Sequence, residues 1–248
     1  MQAHEPKARL VALGFADRDA EILAAHFLDA EQRGKPSHGL ARIDWLAEQD
    51  LDPGARPKRL VAENGFERWE GDGTLGYLTL AEICGAQIAS PPDRARLVVA
   101  SNCFPTGMLG HWTRKLANAG FVALVTATSP PRLGHPEGGP PLAGTNPLSI
   151  AIPSSAGEPI VTDVSMGRAT YGDVIAGLAS EDELVPFGGD QAHKAFALAL
   201  GLQLLVDALA GDGHGAVLLL ARPEADPVPA LRRLAEGIRL PGDGPTKA

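Results

Sequence analysis

Five short apolar stretches rich in β-branched residues, ARLVVAS (95–101), FVALVTATS (121–129), LSIAIP (148–153), PIVTDVS (159–165) and AVLLLA (216–221), are bounded by Gly, Pro or Asn. Runs of this length read as the strands of a sheet. Around them the period becomes helical. Residues 17–34 place Ile22, Leu23, Ala25, His26 and Leu28 at mixed 3–4 spacing and stop at Gly34, a natural helix C′ residue. Further helices are expected from about Thr74, over 108–120, and over 191–210, where Gly211 closes the run. The alternation predicts an α/β fold in which helices cover a central sheet. It divides into an N-terminal helical region (1–70), a sheet-containing domain (71–222) and a C-terminal helix and tail (223–248), the last residues from Leu240 reading as frayed.

Composition narrows the function classes. With 44% hydrophobic and 21% charged residues over 248 positions, the chain can bury a sizeable core. A net charge of −8 without a basic stripe argues against a nucleic-acid partner. Cys84 and Cys103 lie near no metal knuckle or redox pair, which fits a reducing cytoplasm. The histidines have no zinc-helix spacing, so no metal site is expected, and no run approaches a membrane span. GDGTLG (71–76) has the spacing of a dinucleotide fingerprint, but the preceding FERWE is polar and short, so a buried strand is not expected there.

The stretch PSHGLARIDWLAEQ (36–49) carries more chemistry. Ser37 suits an N-cap, with the helix starting at His38. At 100° per residue His38, Arg42, Trp45 and Gln49 share one face, and Leu40, Ile43 and Ala47 the other. A histidine and an arginine one turn apart can hold an anion and donate a proton to it; the same residues also suit a capped surface helix. In PFGGDQAHKAFALAL a Gly188–Gly189 turn opens a helix with His193 and Lys194 in its first turn, suiting a phosphate or carboxylate ligand or simply two solvated charges. Asp163, near the end of an apolar strand, calls for a partner such as a protonated histidine, or else closes the strand as an Asx turn. Thr145 and Asn146 fit either a binding loop or plain turn chemistry.

SHGLAR, GDGTLG, GTNPLSIAIP, TDVSMGRATYG and VPFGG…HKAFALAL occur in the order found in one family, and across residues 15 to 210 the chain resembles the type 2 malate/L-lactate dehydrogenases. The resemblance implies a homodimer whose NAD(P)-binding fold is unrelated to the Rossmann type, with the 71–222 domain holding cofactor and substrate. It implies His38 as proton donor, Arg42 as the clamp of a substrate carboxylate and Asp163 beside the active site; Asp163 is then expected to orient His38, and Thr145 and Asn146 to help hold a small anionic substrate. Val164, Ser165, Met166, Gly167 and Arg168, and the loop with Gly188, Gly189, His193 and Lys194, match stretches that contact NAD or NADP. The implied function is reduction of a small 2-oxo acid or cyclic imino acid; the alternative is a non-redox member that keeps the carboxylate pocket but has lost dinucleotide binding.

Three departures bear on that choice. Pro105 stands where the family carries a second acid/base histidine, and proline cannot move a proton. His111 matches a different family position. The segment between DVSMG and PFGG is reduced to DVIAGLASEDEL, and the C-terminal region is also short.

Overall fold

The computed structural model describes residues 4–63 and 65–244. Helices α1 (His4–Ala12) and α2 (Asp17–Gln32) pack together, and a 3-10 turn at Pro36–His38 leads into α3 (Ala41–Ala47). Strands β1 (Lys58–Glu63) and β2 (Phe66–Glu70) form a hairpin, followed by α4 (Gly76–Ala89), β3 (Ala95–Ser101), α5 (Leu109–Asn118) and β4 (Val122–Ala127). Then come β5 (Leu148–Ile152), β6 (Ile160–Val164), α6 (Tyr171–Ile175), α7 (Ala192–Ala210), β7 (Ala216–Ala221) and α8 (Val228–Leu234). Among the described residues the strands form one seven-stranded sheet, β1-β2-β3-β7-β4-β5-β6, antiparallel throughout except for β2 beside β3.

Alternation along the strands sorts the two faces. Val98 lies opposite Leu218 and Leu218 opposite Val125; these side chains join Phe27, Leu80 and Trp112 in the main core under the first five helices. Val99 and Val217 point the other way, onto Val206 and Ala210 of α7. Full burial of one such Leu or Val is worth roughly 1.5–3 kcal/mol, so both layers hold the sheet firmly.

The five expected strands and the expected α/β arrangement are present, with differences that have physical causes. FERWE is strand β2, so the 1–70 region is not purely helical and its two strands belong to the common sheet. Its alternation was hidden because one inward residue is a charge. Glu67, almost fully buried, accepts from Trp69 Nε1 (2.9 Å) and Gln87 Nε2 (2.8 Å) and lies 3.2 Å from Arg96 Nη1.

GDGTLG therefore does follow a strand, in a parallel β2-α4-β3 unit. Its glycines serve a different purpose from phosphate binding. A Cβ on Gly71 would strike Asn102 O, and one on Gly76 would lie 2.7 Å from Pro105 O, so both permit close packing of the chain on itself.

Two further expectations are corrected. Gly189–Ala210 is long and apolar enough to cross a membrane, but its helical part α7 contacts β3, β4 and β7, as a helix covering a sheet does. The tail is anchored as far as Asp243: Val161 N donates to Pro241 O (3.1 Å), Arg33 Nη1 to Gly242 O (3.0 Å), and Arg232 pairs with Asp243 at 3.0 Å. Residues 245–248 lie outside the described residues.

Candidate functional site

Ser37 is not an N-cap. The 3-10 turn ends at His38, and α3 begins three residues later, where Glu31 Oε1 of α2 accepts from Leu40 N at 2.9 Å. Gly39 permits this, because a Cβ there would collide with the Glu31 carboxylate. The face expected from helical spacing survives the break: His38, Arg42, Trp45 and Gln49 all line one cavity of about 430 Å³. On the opposite side Ile43 and Leu46 are buried in the core, whereas Ala47 is exposed. Arg42 Nε donates to Ser37 O (2.9 Å), and its guanidinium lies 5.4 Å from the Trp45 ring centre. No carboxylate pairs with it among the described residues.

The expected Asp163–His38 pair is absent. Asp163 lines the same cavity, but its Oδ2 accepts from Gly110 N (3.0 Å) and lies 3.5 Å from Lys35 Nζ. His38 Nδ1 instead meets the Ser37 hydroxyl at 3.1 Å, leaving Nε2 without a protein partner among the described residues. Burial, then the charges of Arg42 and Lys35, push His38 down to about 4, against a weaker upward pull from Asp173. The ring is thus neutral near pH 7, not the protonated partner that Asp163 was expected to hold. Burial pushes the Asp173 carboxyl up, but hydrogen bonds from Ser37 and Thr170 outweigh it and hold the group low. The carboxylate communicating with His38 therefore comes from the first turn of α6, a position the sequence did not mark.

The remaining candidates divide. Thr145 and Ser165 line the main cavity, Ser165 Oγ donating to Thr145 O at 3.4 Å. Asn146 is fully buried and its side chain is internally bonded: Nδ2 donates to Ala199 O (2.9 Å) and Gln203 Oε1 (3.0 Å), and Oδ1 accepts from Ser129 N (3.3 Å). Asn146, expected as a substrate contact, is not among the residues lining the cavity. Met166 is likewise buried, among Leu133, Ala143 and Ala199. Val164 is exposed, and Gly167 bridges to Pro186.

Arg168, Gly188 and Gly189 border a second cleft of about 590 Å³, joined by His135 and Arg132. His193 and Lys194 are exposed and line neither cavity. Arg132 lines both. It and Lys35 were missed because single cations in loops carry no periodic signal.

Pro105 does occupy the cavity wall, with Phe104, Thr106, Gly107 and Met108. The wall is held from behind, where the buried His26 Nε2 accepts from Met108 N at 3.0 Å. His111 lies outside the cavity lining and pairs with Asp29 at 2.8 Å. Burial pushes Asp29 up, but hydrogen bonds from His111 and Arg33 outweigh it and hold the carboxyl at about 2. No group of three or more His, Cys, Asp or Glu suited to a metal occurs among the described residues.

The (2R)-3-sulfolactate dehydrogenase (NADP(+)) of Chromohalobacter salexigens is 28% identical over 84% of this chain and 70% of its own length. The 2,3-diketo-L-gulonate reductase of Citrobacter koseri is 30% identical over 73% of this chain, which spans only 55% of that protein. In fold, the Δ1-piperideine-2-carboxylate reductase of Pseudomonas syringae pvar. tomato superposes with a TM-score of 0.81 at 23% identity, covering 97% of this chain and 89% of that one. The malate/L-lactate dehydrogenase family model matches residues 4–184, a span holding the Ser-His-Gly turn, the cavity and six of the seven strands, and the chain belongs to that family of dehydrogenases.

Proposed function

We propose that the chain is an NAD(P)H-dependent reductase of a small 2-oxo acid or cyclic imino acid, acting as a homodimer. The observation that carries this reading is the placement of His38 and Arg42 on one cavity wall, beside a second cleft bordered by cations and a two-glycine turn. The names of two relatives, a reductase and an NADP(+) dehydrogenase acting on small acids, support it.

The second cleft fits an anionic dinucleotide by its donor set. Arg132, Arg168 and His135 supply positive or polar edges, and Gly188 and Gly189, both at positive φ, let backbone approach a phosphate closely. Phe187, partly exposed at the rim, offers an apolar ring. Bound there, a reduced nicotinamide would supply the hydride.

The chain's own residues do the rest. Arg42, fixed through Nε to Ser37 O, presents its two Nη groups to a substrate carboxylate. His38 delivers a proton from Nε2 to the carbonyl oxygen or imine nitrogen as the adjacent carbon accepts the hydride, so one hydride and one proton are consumed per turnover. An anion on Arg42 offsets one of the two cations that hold His38 neutral, so substrate binding itself favours protonation of the acid.

Two exposed apolar residues on α7, Leu204 and Leu205, with Leu198 one to two turns earlier, support association with a second copy. Titrating the protein with NADH and with NADPH, followed by nucleotide fluorescence, tests the central claim. Saturable binding of either upholds it, and absence of both at millimolar nucleotide leaves the non-redox alternative. Arg42→Lys should weaken substrate binding at least tenfold, because an ammonium cannot reproduce the paired guanidinium–carboxylate geometry.

A further inference from the structure

We infer that Tyr77 touches the substrate: its hydroxyl donates a hydrogen bond to the carbonyl oxygen of a bound 2-oxo acid, the atom that His38 protonates. This role rests on the reading of the main cavity as the site of reduction and adds a second donor to it. Tyr77 stands in the first turn of α4 and lines the cavity, yet only 1% of its surface is exposed. The rings of His26 and Phe27 meet it edge-on, with centres 4.9 and 5.4 Å away. A Cβ on Gly107 would collide with Cε1 of the Tyr77 ring, so a glycine in the cavity wall keeps the seat open.

A phenol sunk this deep ordinarily ends on a protein partner. Among the described residues the Tyr77 hydroxyl has none, and it is not one of the sealed, unpartnered atoms, as His26 Nδ1 and Thr74 Oγ1 are. Unpaired but not sealed, on a side chain that lines the cavity, the hydroxyl opens into it. Phenylalanine would fill the same seat without leaving a polar group unpaired.

The cavity has a use for such a donor. His38 is neutral near pH 7, and a Cβ on Gly76, next to Tyr77, would lie 2.7 Å from the carbonyl oxygen of Pro105, a wall residue with no N–H to offer. Burial raises Tyr77 above its ordinary value against an opposing pull from Arg42, so the phenol keeps its proton and stays a donor at physiological pH. That pull also sets the hydroxyl within electrostatic reach of the guanidinium that receives the carboxylate. A carbonyl oxygen has two lone pairs and accepts from His38 and the phenol together. The phenol steadies the charge gained by that oxygen as hydride reaches the adjacent carbon, and retains its own proton; the proton consumed still comes from His38.

The chain has two tyrosines, Tyr77 and Tyr171, which suits fluorine NMR of protein carrying 3-fluorotyrosine. The Tyr77 resonance is the one lost in Tyr77→Phe. Pyruvate, added with NADP+ so that no hydride is available, should shift it; propionate, which lacks the carbonyl oxygen, should move it far less. In calorimetric titrations Tyr77→Phe should weaken pyruvate roughly tenfold and leave propionate within about twofold. Circular dichroism and thermal melting check that the variant is folded, and the resonance shift is read on the unsubstituted chain.

A Tyr77 resonance indifferent to pyruvate overturns the proposal. So does a Tyr77→Phe protein that loses affinity for both acids equally, since the hydroxyl then only shapes the cavity. Should pyruvate shift the resonance and bind selectively worse to Tyr77→Phe while no 2-oxo acid is reduced with either nucleotide, the Tyr77 hydrogen bond stands and the reductase reading falls.

Discussion

Replacing Arg42 by Gln should raise the pH at which His38 takes up its proton. The ring sits at about 4 instead of 6.5, a fall worth about 3 kcal/mol at roughly 1.4 kcal/mol per pH unit. Burial is the largest cause and survives the substitution; Arg42 comes next, followed by Lys35, with Asp173 opposing. Removing Arg42, the second cause, should raise the midpoint, while burial and Lys35 keep it below 6.5. The assay is a proton NMR titration of the His38 C2–H resonance, assigned by its disappearance in His38→Asn. The sign carries over to stability: a histidine whose folded pKa is depressed stabilises the fold above 6.5, and that contribution is lost as pH falls from 6.5 through about 4. The variant should lose less over this window. A wild-type midpoint near 6.5, or one that Arg42→Gln leaves in place, would refute the account of a histidine kept neutral between two cations.

His26, fully buried and held well below its ordinary value chiefly by burial, should add to the acid lability below pH 6.5; urea unfolding at pH 7 and pH 5 would show a smaller difference in His26→Gln. Asn146→Ala should cost about 2 kcal/mol of stability, because it strands Ser129 N–H and removes two donor bonds; a variant melting like wild type yet unable to bind substrate would return Asn146 to the binding residues. Leu204→Glu with Leu205→Glu should convert a dimer to a monomer in light scattering, and an unchanged mass would remove α7 from the interface.

Period-two burial made β3 and β7 legible to the residue, since their apolar side chains pack on both faces of the sheet. The same logic failed for β2, where Glu67 and its compensating arginine are brought together by tertiary contacts and look like surface in one dimension. At the site, helical spacing found the His38–Arg42–Trp45–Gln49 face, all four lining one cavity, although His38 precedes the helix. Spacing could not tell which carboxylate reaches His38. Asp163 and Asp173 lie within ten residues of each other, and only folding turns one to Lys35 and the other to Ser37.

The contact between Val161 N and Pro241 O has a consequence for solubility as much as for shape. Val161 belongs to β6, the last strand of the sheet, and this N–H points away from β5. An uncovered outer strand is a template on which other chains can add, and Ile160 and Val161 would make it an adhesive one. The opposite border, β1, is guarded by Lys58, Arg59 and Glu63 and by an irregular register. Chain shortened before Leu240 should keep its core yet form strand-paired aggregates, seen as thioflavin-positive material that the longer chain does not produce.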